Sequence, residues 1–373
     1  MTIVIIPSFD CNFRCGYCYL CNSTKQSSYN LTADFVCSFL LQIKECFQAQ
    51  HKTIKLIWHG GEPLLWGIDN YRTVFEFIRC EFSDWNVKNS IQSNLSLIND
   101  DYIDLFKQYD VKLGFSFDGP KGINDKQRIF ANGDGSFDII MEKLKQCIGY
   151  GLNVGCIAVC SRKYLGNVKR IYSFMNNLQL NFKLNPLFVA GEAVNTKEEL
   201  GITASEYADI MMELYDIMTS DPNNSVVEDN LIEMGSAVAT GVTEHCLFGF
   251  NCQDNFLAIA PTGDVMPCGR FCDNDMLKYS YGNLHQESLA EILPRIKHSE
   301  TYKRAEFIAH SGCNQCKWYH ICHGGCLHDG FLASGDFRHK TFLCSAYKKI
   351  FTHIEKRLKE SGIEGDIQQK QTT

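Results

Sequence analysis

The residues best able to do chemistry in this chain are its cysteines, 19 among 373 residues. Cys11, Cys15 and Cys18 stand in CNFRCGYC, a Cys-x3-Cys-x2-Cys run near the start. That spacing is not the paired CxxC or CxxH pattern of a closed zinc site. Three thiolates leave one iron of a [4Fe–4S] cube without a protein ligand, and an open metal position is where a substrate or cofactor binds. Cys21 extends the run by eye, but a fourth thiolate would close that iron, so Cys21 is expected to lie outside the ligand set. A second group is C-terminal: Cys246, Cys252 and Cys268, then Cys313, Cys316, Cys322 and Cys326, then Cys344. Cys313, Cys316, Cys322 and Cys326 alone suit one structural zinc site, which strands the other four. Eight thiols also divide into two fully ligated clusters.

The elements that must position these residues follow a β–α rhythm. Strands are predicted at Ile3–Ile6, Ile54–Trp58, Asn89–Gln92, Lys112–Phe117, Asn153–Val159 and Asn181–Val189. Helices are predicted between them, over Thr32–Gln48 with Thr32 as cap, Asn70–Glu81, Asp100–Gln108, Phe137–Gly149 and Asn167–Leu178. Alternating βα units with short connections imply an α/β fold, a parallel sheet curled into a partial (β/α)6 TIM-like barrel. Chemistry in such barrels gathers at the C-terminal strand ends. Cys11, the turn Gly60-Gly61-Glu62-Pro63, Ser93–Asn94 and Ser116–Asp118 all fall there. Helices over Thr203–Met218 and Glu228–Ala239, with Thr203 and Asp229 as caps, precede a hairpin, Phe256–Ala260 with Val265–Met266. The expected domains are a barrel over 1–195, a helical linker over 196–245, a cysteine-rich domain over 246–350, and a C-terminal helix and frayed tail over 351–373.

Composition sets the class. A hydrophobic content of 45% supports an ordinary core, and a net charge of −7 without a basic cluster argues against a nucleic-acid partner. MTIVIIPSF is too short for a secretory signal, and no run reaches the roughly 18 apolar residues of a membrane span. A cytoplasmic, reduced chain is expected, in which many cysteines mean metal ligation rather than disulfides. Cys37, Cys46, Cys80, Cys147, Cys156 and Cys160 read as small apolar fillers, and Cys272 as loop filler.

CNFRCGYC, with Tyr17 before the third cysteine, and the GGEP turn together resemble the radical S-adenosylmethionine (SAM) superfamily. The resemblance implies that SAM chelates the open iron through its amino and carboxylate groups, and that Gly60, Gly61, Glu62 and Pro63 meet the methionine end. Tyr17 would lie near the adenine, and Ser93, Asn94, Ser116 and Asp118 would face ribose and substrate. The C-terminal spacing is similar to that of the SPASM domain. By that likeness Cys246, Cys252, Cys268 and Cys326 hold one auxiliary [4Fe–4S] cluster, and Cys313, Cys316, Cys322 and Cys344 hold another. The likeness covers roughly residues 3–350.

Such an enzyme cleaves SAM with a low-potential electron, from a donor of flavodoxin or ferredoxin type, and the resulting 5′-deoxyadenosyl radical abstracts hydrogen. Two auxiliary clusters suit an electron exit. The SPASM likeness implies a peptide or protein substrate. Anaerobic sulfatase maturases, which make formylglycine, carry an aspartate where this chain has Gly269 and a glutamine where it has His59. HGGEPLLWG looks more like maturases of ribosomally made peptides, so a side-chain crosslink, cyclophane or thioether, on a precursor peptide is the expected product, and formylglycine the alternative. A non-enzymatic electron carrier or sensor is the competing class, and the GGEP turn argues against it. With about ten residues before Cys11, leader recognition is expected from the barrel, the SPASM domain or a separate leader-binding protein. Asp118, His59 and Asp264 are the candidate general bases.

Overall fold

A computed structural model describes residues 1–20, 29–47, 52–220, 222–243, 245–273 and 276–362. Cys21, the last residue of the first predicted helix and the tail after 362 lie outside them. The chain forms two compact units. The first comprises Met1–Ile157, Val189–Lys197 and Gln253–Tyr302; the second comprises Ala158–Phe188, Glu198–Cys252 and the described part of Lys303–Thr373.

In the first unit a parallel sheet runs β5-β4-β3-β2-β1, with β1 Thr2–Ile5, β2 Thr53–Trp58, β3 Asn86–Ser93, β4 Lys112–Ser116 and the start of β5 Val154–Cys160. Alternate residues of β2, Ile54, Leu56 and Trp58, are fully buried, as a pleated strand covered by helices requires. The helix Ala33–Phe47 lays Val36, Phe39, Leu40 and Ile43 onto the core at helical spacing, and the Thr32 hydroxyl accepts the Phe35 N–H at 3.1 Å as its cap. These packed layers leave the loops at the strand ends as the place where side chains converge.

The hairpin predicted near residue 260 forms as β7 Phe256–Ile259 and β8 Asp264–Met266, but it is not confined to a separate cysteine-rich module. β7 pairs in parallel with β1, Ile3 opposite Leu257, and a short β9, Gly282–Asn283, follows β8. Ile3 and Ile5 are completely buried, so β1 needs a partner on each edge for its backbone groups.

In the second unit β6, Phe182–Pro186, follows the end of β5, where Leu187 N–H reaches Cys160 O at 3.0 Å. Thr203 and Glu206 cap the helix Ala204–Ser220 reciprocally, at 3.2 and 2.8 Å. The helix Asp229–Thr240 is capped by Glu228 rather than by Asp229: the Glu228 carboxylate accepts Leu231 N–H and Leu184 N–H, both at 2.7 Å. The longer side chain reaches both donors at once. The last helix starts earlier than expected and spans Cys344–Glu360, so Cys344 sits in its first turn. Among the described residues no helix is long and apolar enough to cross a membrane.

Candidate iron–sulfur and cofactor site

The turn after β2 is fixed by backbone packing. Gly60 has φ of 134°, and a Cβ there would lie 2.5 Å from Ser8 O; one on Gly61 would lie 2.1 Å from Asp10 O. Only glycine permits that approach. Gly61 N–H and Glu62 N–H then bond Ser8 O and Asp10 O, at 3.2 and 2.7 Å, tying the turn to the segment that enters Cys11. Glu62 is fully buried. Its carboxylate accepts Leu64 N–H at 3.0 Å, Ser93 O–H at 2.8 Å and Asn94 N–H at 2.7 Å. Burial pushes its pKa up to about 7 against the pull of those three donors. A buried carboxylate that ionises near pH 7 would be held ionised by a cation set against it. Tyr71 and Tyr102 brace the turn from below by donating to Pro63 O and Leu64 O.

The loop carrying Cys11, Cys15 and Cys18 is held from three sides. Asn12 accepts from Asn94 Nδ2 at 2.7 Å and donates to Ser96 at 2.8 Å. Gly191, with φ of 57°, lies against Cys18 and Tyr19, and Glu192 N–H bonds Cys18 O at 2.9 Å. Tyr17 O–H donates to Asp118 Oδ2 at 2.6 Å, and Arg128 Nε lies 3.0 Å from that same oxygen. The Arg128 guanidinium covers the Tyr17 ring, and its charge acts on the Cys15 thiol, which burial nonetheless pushes up. Desolvation and then the neighbouring Cys15 push the Cys11 thiol up to about 12. A free thiolate is therefore disfavoured at Cys11, and thiolate ligation here would need a bound cation or cluster to supply positive charge.

Of the expected cofactor contacts, Gly60, Gly61, Glu62, Pro63, Ser93 and Asn94 form one connected group at the ends of β2 and β3. Ser116 accepts from Gln92 at 3.1 Å at the end of β4, and Tyr17 is tied to Asp118. The three candidate bases are all engaged. Asp118 holds Tyr17 and Arg128, and Asp264 accepts from Thr262 at 2.5 Å. His59 Nδ1 accepts Gly60 N–H at 2.7 Å, and burial lowers its pKa to about 4, so it is neutral above that pH. Arg128 and Gly191 have no motif around them, and Asn12, though inside CNFRCGYC, is not singled out by the cysteine spacing. Nor does Tyr19 have one: burial, then the thiols of Cys272, Cys18 and Cys268, keep its phenol protonated.

In the second unit Cys313, Cys316, Cys322 and Cys344 line a single pocket, closed on its inner side by Trp318, Tyr347 and Phe351. Between Cys322 and Cys326 the chain makes a tight turn through His323, Gly324 and Gly325, all with positive φ. A Cβ on Gly325 would meet Thr341 Cγ2 at 2.3 Å. Among the described residues no three Cys, His, Asp or Glu side chains converge as closely as one metal ion requires. Four thiols lining one cavity are the donor set that an iron–sulfur cube would use. Cys246, Cys252 and Cys326 also belong to the second unit, and Cys268 to the first, just before the turn Gly269–Phe271. Cys147, Cys156, Cys160 and Cys272 are buried, while Cys80, predicted as filler, is exposed on its helix.

In the first unit a thiol loop lies at the end of a parallel α/β sheet with a buried glutamate beside it, and in the second unit four thiols line a pocket; both suit an iron–sulfur enzyme. Comparison with known proteins gives the family. The model of the radical SAM superfamily matches residues 5–163, and that of the SPASM iron–sulfur cluster-binding domain matches residues 246–326. The chain belongs to the radical SAM superfamily and carries a SPASM domain, which together imply [4Fe–4S] clusters and SAM as its cofactors. The cysteine-type anaerobic sulfatase-maturating enzyme of Clostridium novyi is 25% identical over 364 residues, 94% of each chain. The solved structure of native anSMEcpe with bound AdoMet and Cp18Cys peptide superposes with a TM-score of 0.84 at 20% identity, over 97% of this chain and 99% of that one. Streptococcus suis SuiB bound to the precursor peptide SuiA superposes with a TM-score of 0.65 at 17% identity, over 92% of this chain and 75% of that one. The partial barrel with a C-terminal SPASM domain, expected from the sequence, is the fold.

Proposed function

We propose that this protein is an anaerobic maturase that oxidises a cysteine or serine side chain of a peptide or protein to formylglycine. The observation that carries this reading is likeness along the whole chain, 94% of both sequences, to an enzyme of that activity. It reverses the order expected from the sequence, where a crosslink came first. The departures at Gly269 and His59 are two local positions, and similarity spread over both domains outweighs them.

When bound, SAM and its cluster supply the hydrogen-abstracting radical, and the auxiliary clusters supply a path for the departing electron. The chain's own residues do the rest. Cys11, Cys15 and Cys18 hold the first cluster, and Cys246, Cys252, Cys268 and Cys326 with Cys313, Cys316, Cys322 and Cys344 hold the other two. Glu62 receives the SAM ammonium. Gly60, Gly61 and Pro63 shape the floor beneath it, and Ser93, Asn94, Ser116 and Tyr17 line the remainder. Asp118 and Arg128 keep Tyr17 in place. A donor of flavodoxin or ferredoxin type supplies low-potential electrons.

One observation favours a second reading, crosslink formation on a precursor peptide. A Cβ on Gly269 would stand 3.0 Å from Val4 Cγ1, so a side chain such as aspartate fits this position only if Val4 gives way by a few tenths of an ångström. Incubating the reconstituted, reduced protein with SAM and peptides bearing a central cysteine or serine separates the two. An aldehyde trapped by a hydrazide supports formylglycine. Loss of two hydrogens without an aldehyde supports the crosslink. SAM cleavage with neither product on any peptide overturns the proposal.

A further inference from the structure

Arg304, in the helix Glu300–Ala309, is 4% exposed. Its Nη2 donates to Gly324 O at 3.1 Å and to His339 O at 3.3 Å, and its Nε donates to His339 O at 3.3 Å. The same Nη2 lies against Gly330, where a Cβ would stand 3.5 Å away. No carboxylate among the described residues pairs with it. A guanidinium removed from water and met only by carbonyl dipoles is a costly arrangement, because nothing returns the lost hydration of its charge.

The groups that act on it electrostatically are thiols, those of Cys326, Cys252, Cys313 and Cys322. Cys252 and Cys326 belong to one auxiliary set, Cys313 and Cys322 to the other. The carbonyls it grips lie on the segments that deliver the ligands. Gly324 is midway between Cys322 and Cys326, which fall in different sets, and His339 precedes Cys344. The guanidinium therefore touches the backbone of both ligand-bearing segments, and thiols of both sets are near enough to act on its charge.

We propose that Arg304 is the shared counter-cation of the two auxiliary clusters, a positioning residue whose buried charge is balanced only when they are loaded. A cube with four thiolate ligands is anionic, and gains one more negative charge when reduced. A fixed cation beside it stabilises the reduced form more than the oxidised one and raises the reduction potential. One cation placed between two cubes raises both. The inference rests on the two-cluster assignment of the C-terminal cysteines and not on the identity of the substrate.

The test is an EPR-monitored redox titration of the reconstituted full-length chain, wild type against Arg304→Gln and Arg304→Lys. The N-terminal cluster is recognised because its signal alone changes when SAM is added. Arg304→Gln keeps donors for the carbonyls but loses the charge; it lowers the auxiliary potentials and leaves the SAM-responsive one in place. Arg304→Lys restores most of the shift. Thermal unfolding adds a second readout. The iron-free Gln variant melts at or above iron-free wild type, while the loaded variant melts below loaded wild type. Unchanged auxiliary potentials in Arg304→Gln, or equal destabilisation of the iron-free and loaded chains, overturns the proposal and leaves Arg304 a structural peg. Iron content of the wild type reports separately on the two-cluster assignment.

Discussion

The Glu62 carboxylate accepts the backbone N–H of Asn94 at 2.7 Å, and this bond locks the turn after β2 to the end of β3. The same carboxylate takes Ser93 O–H and Leu64 N–H. Glu62→Gln removes the charge and one acceptor, leaving an amide N–H₂ facing a backbone donor. SAM affinity is expected to fall at least about tenfold, roughly 1.4 kcal/mol, while the N-terminal cluster remains. Equilibrium binding of SAM together with iron analysis reads both.

Gly61→Ala places a methyl group 2.1 Å from Asp10 O and 2.4 Å from Phe9 O, both backbone atoms that cannot rotate away. The Cys11 loop must move, at an overpacking cost of about 1–3 kcal/mol or more. The variant is expected to lose the N-terminal cluster's iron and its SAM-responsive EPR signal while retaining the auxiliary signals. A variant with the full SAM-responsive signal would show that the loop tolerates the displacement.

The contrast between Gly61 and Arg304 shows what was legible in the sequence. Gly61 sits in a local motif behind a strand, and the β–α pattern by itself places that motif at a strand end. The helices Asp100–Gln108 and Phe137–Gly149 coincide with their predicted spans, because their apolar spacing is a local property. The pairing of β7 with β1 joins residues about 250 apart, and no local periodicity encodes which edge a hairpin will take. Arg128 and Arg304 look like ordinary surface charges in sequence. Their burial is a consequence of tertiary packing, so no motif announces them.

Asp118 and Arg128 are buried together, their side chains 0% and 7% exposed. Removing one partner strands the other charge, a loss of about 3–5 kcal/mol. Asp118→Asn and Arg128→Met are each expected to lower the denaturation midpoint strongly. The double variant should be markedly less damaging than the sum of the two. Additive losses in a double-mutant cycle would show that the two side chains act independently.

Cys15 is a proposed ligand in a loop where the Arg128 charge acts on its thiol, whereas Cys21 lies outside the described residues. Cys15→Ala is expected to remove one cluster's worth of iron and abolish 5′-deoxyadenosine formation. Cys21→Ala should leave both unchanged, since a fourth thiolate on the open iron would block SAM. Loss of the cluster in Cys21→Ala would place Cys21 in the ligand set.

Glu228 gives the chain a pH-dependent stability unrelated to its cofactors. The side chain is fully buried, and desolvation raises its pKa from 4.5 to about 7 despite bonds from Leu184 and Leu231 N–H. The folded state thus holds this proton more tightly than the unfolded one. The stabilisation is complete below the unfolded value of 4.5 and is lost as pH rises through about 7. A shift of this size corresponds to at most about 3 kcal/mol. Glu228→Gln cannot ionise, so the stability difference between wild type and variant should fall across that window and level off above it. Clusters contribute to both proteins and cancel in the difference. Urea midpoints measured in parallel at about pH 6 and about pH 8 decide it: the wild type should lose ground to the variant at the higher pH, and parallel midpoints would mean that Glu228 stays ionised throughout.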